Sequence, residues 1–228
     1  MSLFAIADTH LSFGSNKPMD DFEGWLNYTD RLKENWNKII DDKDYVVIAG
    51  DISWAMNFDE LKADFEYINQ LNGKKIILKG NHDYWWNTMS KMNKFIEENN
   101  FNTISILHNN AFDFDDFSVC GSRGWFFDSD EEQNEKVLNR EVMRIKASIE
   151  SALNCEKIVF LHYPPVYENQ CCEEIVNLLK EKGIKKCYYG HIHGVAAKYA
   201  FDDNYDGIDF KLISADRLNF MPLLIKKF

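Results

Sequence analysis

The chain has 228 residues, of which 45% are hydrophobic and 14% aromatic, so it can bury a substantial core, and we expect one domain over residues 1–228. Its formal net charge of −11 weakens any sequence-independent attraction to a phosphate backbone. Long nucleic acids and anionic membranes are therefore disfavoured as partners.

The cysteines and the N-terminal segment bear on the compartment. The five cysteines form no CxxC pair, and the N-terminus runs directly into an apolar run without a basic leader. The longest apolar runs are strand-sized and fall well below the roughly 18 residues that a membrane helix requires. We therefore expect a cytoplasmic protein with no membrane span.

Short apolar runs rich in β-branched residues recur along the chain and are typical of buried, largely parallel strands. They are Leu3–Ala7, Tyr45–Ala49, Ile76–Leu78, Ile104–Leu107, Ile158–Leu161 and Cys187–Tyr189. Helical patterns lie between several of these runs. They are Thr29–Ile40, Asp59–Leu71, Thr88–Glu98, Glu135–Leu153 and Cys172–Glu181. The alternation predicts an α/β plan for both halves of the chain.

Two regions depart from this alternation. Residues Ala111–Gly121 and Ala196–Phe228 contain alternating segments around Asp113–Asp116 and Tyr205–Gly207, a pattern that predicts antiparallel hairpins. We therefore expect an α/β fold with α+β character, in which two mixed β-sheets pack together and helices flank them.

Candidate ligands for metal ions follow the predicted strands. They are Asp8-Thr9-His10, Gly50-Asp51, Gly80-Asn81-His82-Asp83, His162 and Gly190-His191-Ile192-His193. Because parallel strands bring their carboxyl ends to one edge of a sheet, residues far apart in sequence can converge there. A lone Asp-x-His, Gly-Asp or buried histidine is usually structural, whereas Gly-Asn-His-Asp after a strand is more specific and Gly-His-x-His moderately so. All five in this order are very hard to obtain by chance. Their oxygen and nitrogen donors are sufficient for two metal ions, which indicates a metal-dependent hydrolase.

The five blocks resemble the signature blocks of the calcineurin-like metallophosphoesterase superfamily. The resemblance implies a four-layer sandwich of two mixed β-sheets between helices. It also implies a ligand set for each metal. Asp8, His10 and His193 would hold the first ion. Asn81, His162 and His191 would hold the second, and Asp51 would bridge both.

The chemistry implied by the resemblance is hydrolysis of a phosphate ester. The mixed donor set suits Mn, Fe or Zn, with Co or Ni as further options. Two such ions, roughly 3.5–4 Å apart, lower the pKa of a bridging water, so that hydroxide is available to attack phosphorus. His82 resembles the catalytic histidine of the family and would be the general acid, and Asp83 would fix its tautomer.

At subfamily level the pattern departs from that of the protein serine/threonine phosphatases. Gly50-Asp51 continues as Ile52-Ser53-Trp54, and the third block ends in Asp83 where those enzymes have Glu. Leu161–Pro165 is more similar to small bacterial phosphohydrolases. We expect a small phosphorylated substrate, because bound dications could reverse the potential of one pocket in an acidic protein.

Two other classes of function stay open. One is a nuclease or cyclic-nucleotide phosphodiesterase that uses the same site, and the other is a non-catalytic scaffold that binds protein partners. The preference between monoesters and diesters, the metals loaded in the cell and the oligomeric state also stay open.

Several residues near the blocks have both a functional and a structural interpretation. Arg123, in a glycine-containing turn, could bind a substrate phosphate through two hydrogen bonds or form a surface salt bridge. Tyr163, beside His162, could donate to a phosphate oxygen or pack in the core. Four tryptophans follow the blocks closely and could line a pocket, although core packing is at least as common for large aromatic side chains. They are Trp54, Trp85, Trp86 and Trp125.

Overall fold

The computed structural model describes residues 1–125, 135–168 and 170–228. The strands of these ranges are β1 (Ser2–Ile6), β2 (Tyr45–Ala49), β3 (Lys74–Leu78), β4 (Ile104–Ile106), β5 (Phe112–Asp113), β6 (Phe117–Ser122), β7 (Glu156–Leu161), β8 (Val166–Tyr167), β9 (Gln170–Cys171), β10 (Lys186–Tyr189), β11 (Asn204–Tyr205), β12 (Ile208–Leu212) and β13 (Leu223–Lys227). The α-helices are α1 (Tyr28–Ile39), α2 (Phe58–Gln70), α3 (Met89–Glu98), α4 (Glu135–Ser151) and α5 (Glu173–Glu181).

The first sheet has the strand order β13-β1-β2-β3-β4. Strands β1 to β4 are parallel, and each is connected to the next by a crossover, whereas β13 pairs antiparallel to β1 at the edge. The register of β1 on β2 aligns Ala5 with Val47. This alignment brings the carboxyl ends of the two strands to the same level.

The second sheet has the strand order β11-β12-β10-β7-β6-β5. Its four central strands are parallel, and the short strands β5 and β11 pair antiparallel at the two edges. Strands β8 and β9 form a separate two-stranded ribbon. Both large sheets are therefore mixed.

The two sheets pack face to face, and the alternation of side chains along each strand explains how. Leu3 and Ala5 of β1 lie in a hydrophobic cluster with Val119 and Phe160 of the second sheet. Phe4, the residue between them, lies in a different cluster that contains the helices α1 and α2. A third cluster joins the far face of the second sheet to α4 and α5. The result is the expected four-layer order of helices, sheet, sheet and helices.

Helix α2 shows how the sequence sets an element. Asn57 caps its N-terminus by accepting a hydrogen bond of 3.0 Å from the backbone N–H of Glu60. Leu61, Phe65 and Ile68 recur at helical spacing, and all three are buried against the first sheet. The predicted helices and parallel strands agree with the observed ones to within about two residues at most ends.

One prediction about topology is wrong in part. The pattern of Ala196–Phe228 predicts an antiparallel hairpin, and β11 and β12 do pair in this way. However, Gly194–Tyr199 forms a 3-10 helix. Strand β13 does not join β11 and β12 in the second sheet but pairs with β1 in the first. The alternation of a strand does not specify which sheet edge it joins, because that choice depends on tertiary packing.

Within the described ranges, none of the helices combines the length and the apolar character that crossing a bilayer requires.

Candidate metal centre

The predicted ligands converge between the two sheets. Asp8, Asp51 and Asn81 lie just beyond the carboxyl ends of β1, β2 and β3 in the first sheet. His162 and His191 lie just beyond β7 and β10 in the second sheet. The carboxyl ends of parallel strands therefore assemble the site, as the sequence predicts.

The donor atoms form two groups of metal-binding size that share one residue. Asp8, His10 and Asp51 form one group, and Asp51, His162 and His191 form the other. In each group, one ligand atom from every residue lies within 4.8 Å of the others. The position of Asp51 in both groups is the arrangement that a bridging carboxylate requires.

Asn81 completes the second group with an amide oxygen. Its Oδ1 lies 2.6 Å from His162 Nε2 and 2.9 Å from His191 Nδ1. The other ring nitrogen of His162 lies 3.1 Å from the carbonyl oxygen of Ala49, which places the proton on Nδ1 and leaves a lone pair on Nε2. A lone pair that faces an amide oxygen is unfavourable unless a cation binds both atoms, so these atoms fit a metal ion.

His10 also fits a metal ion. Its side chain is completely buried, and neither ring nitrogen has a hydrogen-bond partner among the described residues. Burying an imidazole without a hydrogen-bond partner costs free energy, and a metal ion bound to one of its nitrogens would relieve this cost. The ring stacks on Trp54 with centroids 4.8 Å apart, which fixes its orientation.

His193 is placed less directly. Its ring meets that of His10 edge-on with centroids 5.3 Å apart, but among the described residues it belongs to neither donor group. It lines a cavity beside the site together with His82. Its assignment as a ligand of the first metal stays a prediction.

Four of the predicted ligands adopt a backbone conformation that residues with side chains rarely take. The φ angles are 57° at Asp8, 42° at His10, 50° at Asp51 and 71° at His191. Left-handed backbone at non-glycine residues costs about 1 kcal/mol or more at each position and concentrates at functional sites.

The carboxyl groups of the site are held at unusually high pKa. Burial, reinforced by the charge of Asp51, raises the pKa of Asp8 well above its ordinary value. Burial raises the pKa of Asp51 to about 6 and, together with the charge of Asp51, that of Asp83 to about 7. Burial lowers the pKa of His162 to about 3. The pocket thus holds neutral imidazoles and mutually repelling carboxylates, a donor set that a pair of cations would neutralise.

Asp83 does not have the role predicted for it, which rests on the general habit of carboxylates to orient neighbouring histidines. Its carboxylate accepts hydrogen bonds from backbone N–H groups of Gly80, Asp51 and Ile52 at 2.7, 3.0 and 2.9 Å. The Nδ1 of His82 instead lies 3.1 Å from the hydroxyl of Tyr84. The expectation that Asp83 fixes the tautomer of His82 is therefore wrong, because Asp83 turns inward and holds the Asp51 and Asn81 loops together.

His82 lies at the rim of the centre. Its backbone N–H donates a 2.8 Å hydrogen bond to Asp51 Oδ1, and its ring lies 4.5 Å from that of Trp54. Burial lowers its pKa from the ordinary value, and the charge of Asp51 opposes this shift. A side chain in this position is within reach of a substrate bound at the centre.

Arg123 and Tyr163 lie on the side of the centre formed by the second sheet. The backbone carbonyl of Arg123 accepts hydrogen bonds from the N–H groups of His162 and Tyr163 at 3.1 and 2.8 Å. Its guanidinium lies 3.8 Å from buried Glu141 and 5.7 Å from the Tyr163 ring. The Tyr163 ring lies 4.5 Å from that of His191. Arg123 therefore forms the alternative ion pair, although with a buried carboxylate.

Of the four tryptophans near the blocks, only one lines the cavity beside the centre, as far as the described residues show. This is Trp54, whereas Trp85 and Trp125 are buried in the core and Trp86 packs against the cluster that contains α1 and α2.

Sequence reasoning missed two contributors to the site. Trp25 packs edge-on against both His10 and His193. Asp64 accepts hydrogen bonds from the hydroxyl of Ser53 and, at 2.7 Å, from the N–H of Phe13, which ties the loops after β1 and β2 together. A signal for Asp64 exists, since it is a carboxylate on the apolar face of α2. Nothing in the local sequence indicates the role of Trp25.

Comparison with known proteins identifies the family. The model of the calcineurin-like phosphoesterase family matches residues 1–195. The chain belongs to the calcineurin-like phosphoesterase family. Membership supports a hydrolase that acts on phosphoesters and, with the donor groups around Asp51, a metal-binding site.

A curated relative covers only part of the chain. An uncharacterized protein of Methanocaldococcus jannaschii, MJ1445, is 34% identical over 86 residues, which are 36% of this chain and 46% of that protein. The match thus spans about half the length of this relative.

Solved structures of low sequence identity share the fold. A phosphopantetheinyl hydrolase from Mycobacterium tuberculosis superposes with a TM-score of 0.58 at 13% identity, over 100% of this chain and 96% of that chain. A protein of unknown function from Aquifex aeolicus, AQ665, superposes with a TM-score of 0.51 at 15% identity, over 98% and 95% of the two chains. These likenesses agree with two mixed sheets flanked by helices.

Proposed function

We propose that this protein is a phosphoesterase that depends on two metal ions and hydrolyses a small phosphate monoester or diester. The observation that carries the proposal is the pair of donor groups that share Asp51. Asp8 and His10, with His193 from the edge of the pocket, would hold one ion. Asn81, His162 and His191 would hold the other, in agreement with the family resemblance.

Bound ions of this kind would polarise phosphoryl oxygens and would lower the pKa of a bound water, so that hydroxide is available at neutral pH. The residues of the chain supply the remaining requirements. Asp83 keeps the Asp51 and Asn81 loops in register through its backbone hydrogen bonds, and Ala49 sets the tautomer of His162. Mixed oxygen and nitrogen donors favour Mn, Fe or Zn, with Co or Ni as further options.

His82 is the proposed general acid that protonates the departing oxygen of the ester. It stands at the rim of the centre and is held there by Trp54 and by the hydrogen bond from its N–H to Asp51. The hydroxyl of Tyr84 occupies Nδ1, which leaves Nε2 for the substrate. Tyr84, rather than Asp83, thus positions the imidazole ring.

Arg123 and Tyr163 are proposed to contact the phosphoryl group from the side of the second sheet. Lys79, which precedes the Asn81 block, is half-buried, and burial followed by the charge of Arg123 lowers its pKa. The presence of two cationic side chains here supports an anion-binding role for this side of the centre, with Glu141 as the partner that orients Arg123. The overall charge of −11 makes a small substrate more suitable than a long nucleic acid.

The test is hydrolysis of p-nitrophenyl phosphate and bis-p-nitrophenyl phosphate by stripped protein to which Mn²⁺ is added back. We expect metal-dependent hydrolysis, and the ratio of the two rates assigns a monoester or diester preference. A nuclease or cyclic-nucleotide phosphodiesterase would favour the diester. Failure to hydrolyse either substrate with Mn²⁺, Fe²⁺ or Zn²⁺ would contradict the proposal.

The role of His82 is tested with His82→Gln, for which we expect a fall in kcat of about 10² to 10⁴ with the metal content retained. The matched control is His108→Gln, which makes the same substitution at a histidine outside the donor groups. The His108 ring lies beside that of Trp86, with centroids 6.3 Å apart. Equal turnover in the two variants would remove His82 from the mechanism.

The bridging role is tested with Asp51→Asn, which removes the charge that the two groups share. We expect loss of both metals by elemental analysis, together with loss of activity. Two stoichiometric metals in the purified variant would refute the bridging assignment.

A further inference from the structure

A cavity of about 740 Å³ opens directly beside the candidate metal centre. His82 and His193 form part of its wall, so the cavity and the centre share side chains. Its size is in the range of pockets that bind small molecules. It lies between the loop that follows β1 and the loop that follows β10.

The wall of the cavity is mainly apolar and aromatic. Met19, Phe22, Trp25, Trp54 and Val195 contribute to it. Trp25 is only 2% exposed and Met19 only 5%, whereas Phe22 is 60% exposed and Val195 is 84% exposed at the mouth. Exposed apolar side chains grouped around a cavity that adjoins a reactive centre are typical of a ligand site.

The charged groups of the lining do not favour a second phosphate. Arg31 donates a 2.7 Å hydrogen bond to the carbonyl of Gly24, packs 4.7 Å from the Phe220 ring and is outnumbered by the carboxylates of the lining. The remaining charged groups, Glu23 and Asp216, are acidic and would repel an anion. The occupant is therefore expected to be uncharged and apolar over most of its surface.

The position of His82 identifies which part of the substrate enters the cavity. If His82 protonates the departing oxygen, the alcohol attached to that oxygen lies on the side of His82, which is the side of the cavity. We propose that the substrate is a phosphate ester of an apolar alcohol with an aromatic or similarly bulky group, and that Phe22, Trp54 and Val195 recognise this group. This assignment rests on the proposed function, since it takes His82 as the general acid.

The test compares 2-naphthyl phosphate with phenyl phosphate, whose leaving groups have similar acidity but different apolar area, and with glycerol 2-phosphate. We expect kcat/KM to be highest for the naphthyl ester, by about fivefold to tenfold over the phenyl ester. Phe22→Ala and Val195→Ser should each narrow this ratio, mainly through KM. The same ratio in wild type and in both variants would overturn the proposal.

The matched control is Phe13→Ala, since Phe13 is 51% exposed, packs against Tyr67 and lies outside the cavity. It should keep the wild-type ratio. A reduction as large as that of Phe22→Ala would show a general effect of the substitution and contradict the proposal.

A binding measurement separates this proposal from the proposed function. Calorimetric titration with 2-naphthol, which has no phosphate, should show binding to wild type and Phe13→Ala and about fivefold weaker binding to Phe22→Ala. If no ester is hydrolysed but 2-naphthol binds in this pattern, the phosphoesterase proposal fails and the apolar site stands. If esters are hydrolysed without a naphthyl preference and 2-naphthol does not bind, the phosphoesterase stands and the apolar site fails.

Discussion

Gly50 offers the sharpest test of how tightly the centre is packed. Its φ angle is +86°, and a Cβ at this position would lie 2.7 Å from His162 Nδ1 and 2.8 Å from both the Cα and the N of Gly80. In Gly50→Ala the left-handed backbone costs about 1 kcal/mol. Overpacking against the Gly80 backbone adds about 1–3 kcal/mol. We expect a total loss of roughly 2–4 kcal/mol in the free energy of unfolding.

The control is Gly207→Ala, because Gly207 has a φ angle of +82° and a Cβ added there would have no atom within 4 Å among the described residues. The backbone cost is then the same and the packing cost is absent. For a chain of this size, 1 kcal/mol corresponds to about 2–4 °C in Tm, so we expect a fall of roughly 5–15 °C for Gly50→Ala and about 2–4 °C for Gly207→Ala. Calorimetry or circular dichroism measures both. Equal falls would refute the argument from close approach.

Two further predictions concern buried ionisable groups. Burial raises the pKa of Asp64 to about 6. Between about pH 4 and pH 6 the folded chain therefore keeps a proton that the unfolded chain has lost. The free energy of unfolding falls as the pH rises through this window, by up to about 3 kcal/mol. The buried carboxyl groups of Asp8, Asp51 and Asp83 contribute to the same fall, so Asp64→Asn should reduce its slope without abolishing it in urea titrations from about pH 4 to about pH 8. An unchanged slope would contradict the role of burial at Asp64. Burial also raises the pKa of the Cys120 and Cys172 thiols to about 12, so Ellman's reagent should modify exposed Cys155 rapidly in the native protein and these two only after unfolding. Persistence of the rapid phase in Cys155→Ser would show that another thiol is accessible.

The sequence is most informative where a physical rule acts locally. The run Tyr45–Ala49 is continuous in apolar character and ends at Gly50, and it forms a strand with these bounds. The block that follows is placed by the strand, since the carboxyl ends of parallel strands share one sheet edge. This is why the sequence alone predicts that Asp8 and Asp51, which follow neighbouring strands of the first sheet, lie close together.

The remaining features depend on tertiary structure. The partner of the Asp83 carboxylate could not be predicted, because no local pattern shows whether it binds the His82 ring or nearby backbone N–H groups. In the structure it binds the backbone N–H groups. The cavity wall at Phe22 and Trp25 comes from a segment without helical or strand periodicity, and Trp25 is placed by contacts with His10 and His193, one of which is far away in sequence. The choice of sheet edge for β13 has the same origin.

The position of the donor groups has a consequence for the life of the protein in the cell. Asp51 belongs to the first sheet, and His162 and His191 belong to the second, so an ion held by all three would fasten the two sheets together. A ligand that binds only the folded state adds about 4 kcal/mol of stability at roughly a thousandfold excess over its Kd. If the proposed centre is filled in this way, removal of the metal would lower the stability of the fold as well as the proposed activity, and the metal-free chain would be digested faster by proteases.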